Sequence, residues 1–198
     1  MEAAGTVPSM ASPALGDGRV TRERYWQLVA EGVIGSDDRV ELLEGVIVAM
    51  SPQNPPHAFV IGKLTRWLFA VAQADAWVRV QLPIDLSELS TPEPDLALVA
   101  GREETYVDTH PTNALLVVEV ADSSLIQDRL TKGPMYAAAG IAEYWLVNLR
   151  DRCVEVHRAP NRDERRYTDV RILRSGDRLD VLAMPDASIA VGEILPPR

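Results

Sequence analysis

Two acids stand where acids are costly. Asp95 opens the run Pro94-Asp95-Leu96-Ala97-Leu98-Val99, and Glu119 lies near the end of Ala114-Leu115-Leu116-Val117-Val118-Glu119-Val120, the most hydrophobic run in the chain. A carboxylate in an apolar strand is tolerated when it is paired or coordinates a metal. Otherwise Asp95 is a turn or cap residue and Glu119 a strand end emerging into solvent. Downstream, Asp128, Lys132 and Tyr136 are spaced by four, which on a helix sets them on one face. A hard divalent cation takes oxygens from one or two carboxylates plus phosphate. A lysine above such a pair would orient or deprotonate an attacking water and offset phosphate charge. Pro134 complicates this face, because the helix is either kinked there or begins near Gly133. In the second case Asp128 and Lys132 belong to a loop.

Other chemistries are excluded by inventory. There is no G-x-S-x-G elbow and no H-E-x-x-H. Gly62-Lys63 is followed by Leu64 where a phosphate loop needs a hydroxyl, so it is not one. His57, His110 and His157 are scattered singly, unlike zinc ligands. His57 opens a helix directly after a proline-rich loop, where it either steadies a neighbouring carboxylate or serves as a cap. Cys153 is the only cysteine, which excludes an intramolecular disulfide and fits a reducing, cytoplasmic setting. No apolar run approaches the roughly 18 to 20 residues that span a bilayer, so no membrane partner is expected.

The elements that must position these residues follow from apolar periodicity. The 198 residues, 46% hydrophobic and 25% charged, suit one globular domain over 19–198 behind an Ala/Gly/Pro/Ser-rich disordered tail, 1–18. Thr21 caps a helix that stops at Gly32. Val40–Leu43 and Val46–Met50 flank Glu44-Gly45 as a hairpin. Apolar residues from Val60 to Val71 mark the strongest amphipathic helix, His57–Ala74. Strands are expected at 77–82, 84–86, 95–99, 114–120 and 143–147, with a helical segment ending near Gly140 and short strands around 153–157, 167–173 and 178–182. This order predicts an α/β (mixed α+β) fold, a mixed central sheet flanked by helices, with a β-rich C-terminal extension.

Charge qualifies any nucleic-acid role. The net charge of −9 gives no global field for polyanions. Residues 150–180 hold nine arginines against seven acids, and Arg162, Arg165 and Arg166 fall at the expected hairpin turn. They form either a local nucleic-acid contact or a solvated, charge-mixed turn.

Four blocks carry a family resemblance. They are Arg39-Val40-Glu41-Leu42-Leu43-Glu44-Gly45, Pro94-Asp95-Leu96, Val117-Val118-Glu119-Val120-Ala121-Asp122-Ser123-Ser124, and the stretch from Asp128 through Lys132, Tyr136-Ala137 and Gly140-Ile141 to Glu143-Tyr144-Trp145-Leu146-Val147. Together, over roughly residues 21–195, the chain resembles the Uma2 (DUF820) family of restriction endonuclease-like proteins in the PD-(D/E)xK nuclease superfamily. The resemblance implies a restriction-endonuclease-like core with a metal site at a strand fork. Asp95 matches the aspartate of the PD element, Glu119 the acid of the (D/E)xK element, and Glu41 the early glutamate. Ala121 stands where the superfamily expects lysine, and Lys132 matches a lysine displaced to the following helix.

The implied mechanism is hydrolysis of DNA phosphodiesters with Mg2+ or Mn2+ held by Asp95, Glu119 and the Val120 carbonyl. Lys132 would position water, Glu41 would support it or bind a second metal, and His57 and Asp128 are supporting candidates. Cutting two antiparallel strands implies a homodimer. The alternative is a nuclease-fold protein that binds metal or a partner without cutting, which the acidic balance favours.

Overall fold

The computed structural model describes residues 18–72 and 75–197. The expected tail up to Asp17, and the last two residues of the helix expected to reach Ala74, lie outside the described residues.

Hydrophobic runs pair into a six-stranded mixed sheet in the order β3-β4-β5-β6-β7-β8. Its strands are β3 (Ala76–Val80), β4 (Leu96–Ala100), β5 (Leu116–Ala121), β6 (Glu143–Asn148), β7 (Cys153–Asn161) and β8 (Arg166–Leu173). Only β5 and β6 are parallel, the arrangement that requires a helical crossover. β5 and β6 are buried along their whole length, which is why they read as continuous apolar runs.

Each face of the sheet has its own core. On one face, Val60, Leu64 and Leu68 of the helix α2 (Pro55–Val71) pack with Val118, Val120, Trp145 and Val147. The C-terminal hairpin β9 (Arg178–Val181) and β10 (Met184–Ala190), with the short α5 (Val191–Ile194), closes the same side. The other face buries Ala97, Val117, Tyr144 and Leu146 beneath Met135, Tyr136 and Ala137 of the crossover. Leu43 joins this second core from the hairpin β1 (Val40–Leu43) and β2 (Val46–Ala49). Glu44 and Gly45 both take positive φ at its turn, which matches the twist of the flanking strands. The first helix, α1 (Arg22–Ala30), is capped by the Thr21 side chain.

Two expectations about elements need correction. Ile84–Leu86 joins no strand: Ile84 N–H donates to the Pro92 carbonyl and Asp85 N–H to the Pro111 carbonyl. Pro83, Pro92 and Pro94 deprive this region of ladder donors, so its backbone is satisfied loop to loop although Ile84 is fully buried. The α-helix around Pro134 does begin at Gly133, but Asp128 and Lys132 do not fall in a loop before it. The crossover runs as α3 (Leu125–Gln127), a π turn (Asp128–Lys132) and α4 (Gly133–Ala139). Proline cannot donate to Leu130, and the wider turn lets Gly133 N–H reach the Asp128 carbonyl instead. That carbonyl also accepts the Tyr144 hydroxyl at 3.3 Å. Asp128 and Lys132 are both buried as a result.

Candidate active site

The β4–β5 ladder pairs Leu96 with Val118 and Ala97 with Val117. Carried one step on, the register sets Asp95 opposite Glu119, and directly opposed residues share a face of an antiparallel pair. Both line one cleft with Arg39, Glu41, Glu93, Val120, Asp128 and Lys132. The two acids therefore look into the same space, at the end of the sheet where β4 begins and β5 ends.

Each carboxylate is held by neighbours. Asp95 Oδ2 accepts the Val120 N–H at 2.8 Å and stands 3.2 Å from His57 Nε2, while Gln81 Nε2 donates to its Oδ1 at 3.3 Å. Of the two readings for His57, the structure supports the steadied carboxylate. The helix cap is Asn54, whose side chain accepts the His57 N–H. Glu119 Oε1 accepts from Lys132 Nζ at 3.0 Å and from the Tyr136 hydroxyl at 2.7 Å. Lys132 Nζ also pairs with Glu41 Oε2 at 3.0 Å, so the ammonium bridges β1 and β5. Asp128 Oδ2 accepts the Ser124 hydroxyl at 2.6 Å.

The electrostatics follow from burial. Five carboxyl groups line the cleft against the cations of Arg39 and Lys132. Burial pushes Glu119 up, Lys132 pulls it back, and Asp128, Asp95 and Glu41 raise it again, leaving it at about 8. Burial likewise raises Asp128 to about 6, against the pull of Lys132 and Ser124. Burial and the nearby Glu41 raise Glu93, with Arg39 and Lys132 opposing. Burial works to strip the Lys132 proton, but Glu119, Glu41 and Asp128 outweigh it and hold the pKa above the ordinary lysine value. The site is an under-neutralised acid cluster around one fixed ammonium.

Three arginines proposed from sequence lie elsewhere. Arg165 is paired with Glu44 at 2.9 Å and Arg166 with Glu164 at 2.5 Å. Arg162 lies over Gly140, where a Cβ would collide with its guanidinium. None of the three lines the cleft. Two residues that do matter to the cluster had no assigned role in the sequence reading. Tyr136 shared the four-residue spacing with Lys132, and Glu93 sat between Pro92 and Pro94 directly before Asp95. Both spacings were visible signals.

The family model described as "Putative restriction endonuclease", Uma2, matches residues 22–192. The chain belongs to the Uma2 family. A crystal structure of a putative nuclease belonging to DUF820, from Anabaena variabilis ATCC 29413, resembles this Uma2 chain with a TM-score of 0.72 at 15% identity. The match covers 88% of this chain and 97% of that one, and it establishes a shared nuclease-like fold. No curated protein matches the sequence. Among the described residues of this Uma2 chain, no helix is long and apolar enough to cross a membrane.

Proposed function

We propose that this Uma2 chain is a divalent-metal-dependent endonuclease that hydrolyses phosphodiester bonds, with DNA as substrate. The observation that carries this reading is the opposition of Asp95 and Glu119 across the β4–β5 ladder, in a cleft where Lys132 is pinned between Glu41 and Glu119.

The donor set suits a hard cation. Among the described residues no three His, Cys, Asp or Glu side chains cluster tightly enough to hold a metal by themselves. Mg2+ does not require that, since it keeps several waters and takes one or two carboxylates. Lys132 and Tyr136 both donate to Glu119 Oε1, which leaves Oε2 for another partner. Asp95, Glu119 and the Val120 carbonyl would hold Mg2+ or Mn2+, with Glu41 in a supporting place. The bound cation would polarise the scissile phosphate and lower the pKa of a coordinated water.

The chain's own groups do the positioning. Lys132, fixed by two carboxylates, offers its remaining N–H to a water or phosphate oxygen and offsets the charge that develops in the transition state. Tyr136 fixes the Glu119 carboxylate, and His57 and the Val120 N–H fix that of Asp95. Asp128 adds negative charge beside Lys132. Double-strand cutting would use a homodimer, each copy supplying one site.

Incubating supercoiled plasmid and single-stranded oligonucleotides with Mg2+ or Mn2+ tests the activity. Nicked or linear product, abolished in Asp95→Ala, is expected. A second reading, a metal- or partner-binding module that does not cut, is favoured by the net charge of −9. Intact calorimetric Mn2+ binding with no cutting by wild type would establish it.

A further inference from the structure

Between Glu44 and Asp75 the chain carries no acidic residue, although it has 29 Asp and Glu in 198 residues. That acid-free stretch contains α2, whose first turn delivers His57 to Asp95 in the cleft. The helix buries Val60, Ile61, Leu64 and Leu68. Its opposite face is exposed and carries Phe59, Lys63, Arg66 and Phe69. Phe69 is 58% exposed and Phe59 37%, an unusual state for large aromatics on a surface helix. Lys63 Nζ stands 5.6 Å from the Phe59 ring centroid, and neither Lys63 nor Arg66 has an ion-pair partner among the described residues.

The arginine-rich C-terminal region contrasts with this. Arg150, Arg158, Arg165, Arg166 and Arg171 each meet a carboxylate. Internal pairing consumes the charge of these five of the nine, so the region offers less field to a phosphate than its composition suggests. On α2, by contrast, Lys63 and Arg66 meet no carboxylate among the described residues.

We propose that the outward face of α2, formed by Phe59, Lys63, Arg66 and Phe69, is the track for a single-stranded segment of nucleic acid leading to the cleft. Phe59 and Phe69 are about 15 Å apart along the axis, with the two cations between them. Unpaired strands are held by this combination, cations on the phosphates and aromatic rings under the bases. A duplex keeps its base faces stacked internally and gives the two rings nothing to stack on. The assignment deepens the nuclease reading by naming the substrate form, and it rests on that reading for what happens in the cleft.

Fluorescence anisotropy with the full chain in EDTA separates binding from cutting. The probes are a labelled single strand of roughly 20 nucleotides and its duplex. Wild type should bind the single strand at least about tenfold more tightly than the duplex. Lys63→Glu with Arg66→Glu should weaken it about tenfold or more and flatten the log–log salt slope by about 1 to 1.5. Phe59→Ala with Phe69→Ala should weaken it about fivefold or more without changing that slope. Arg165→Ala with Arg166→Ala should change it less than about twofold.

Thermal melts by circular dichroism confirm that these surface variants fold. Tighter binding to duplex, wild-type affinity in both α2 pairs, or a larger loss from the hairpin pair than from the α2 pairs overturns the proposal. Plasmid cutting by wild type and Mn2+ calorimetry report on the cleft independently, so the two readings can fail separately.

Discussion

The carboxylate of Asp95 accepts the backbone N–H of Val120 at 2.8 Å. The start of β4 is thereby tied to the residue next to Glu119, which adds a side-chain hydrogen bond to the ladder register that opposes the two acids of the cleft. Asp95→Ala removes a proposed metal ligand and also orphans a buried N–H, a loss of about 1 to 3 kcal/mol. Asp95→Asn keeps an acceptor for that N–H. Calorimetry should show Mn2+ affinity lost in both variants, with urea melts showing the stability loss in the alanine variant alone.

Lys132 is ion-paired with both Glu41 and Glu119, and all three are buried. Lys132→Met should destabilise the fold by about 3 to 5 kcal/mol, because two buried carboxylates lose their partner. A loss under about 1 kcal/mol in urea melts at pH 8 would show that the pair is not a buried ionic contact in solution.

Asp128 carries a testable pH signature. Burial leads the causes that raise its folded pKa to about 6 from an ordinary value of 3.8. The folded state therefore binds this proton more tightly than the unfolded chain, and ionisation opposes folding as pH rises. Asp128→Asn should stabilise the protein by about 1 to 3 kcal/mol at pH 8. The gain should shrink between pH 6 and pH 4, and vanish once both states are protonated. Denaturant melts across that range measure it, and a gain independent of pH would contradict the assignment.

Glu155 behaves oppositely. Burial would raise it, but the neighbouring His157, Arg129 and Asn148 outweigh burial and hold it at about 2. Its stabilisation is present above the ordinary glutamate pKa and lost as pH falls from about 4.5 toward 2. Arg129 is partly exposed, so solvent screening limits the contribution to about 1 to 2 kcal/mol. Glu155→Gln should cost that much at pH 7 and little at pH 2.5 in thermal or urea melts.

Tyr136 is fully buried with its hydroxyl 2.7 Å from Glu119. Tyr136→Phe should leave the fold within about 1.5 kcal/mol of wild type. Mn2+ affinity should fall about tenfold, as when a group that orients a metal ligand is removed. An unchanged affinity in calorimetry would mean that Glu119 needs no orienting partner.

Apolar periodicity alone determined most of the elements here. β5 and β6 read as buried strands because both their faces are covered, and Glu44-Gly45 read as a hairpin turn because it needs positive φ. Asp95 and Glu119 were conspicuous because an acid in an apolar strand is costly wherever that strand lies. What the linear chain does not encode locally is partnership. Glu41 reaches Lys132 across 91 positions, and the opposition of 95 to 119 depends on a ladder register set by packing on both faces. The π turn that keeps Lys132 buried arises because Pro134 lacks a donor while Gly133 and Tyr144 both converge on the Asp128 carbonyl. The state of each arginine was decided the same way. Composition counts charges, whereas only tertiary contacts determine which of them are already neutralised.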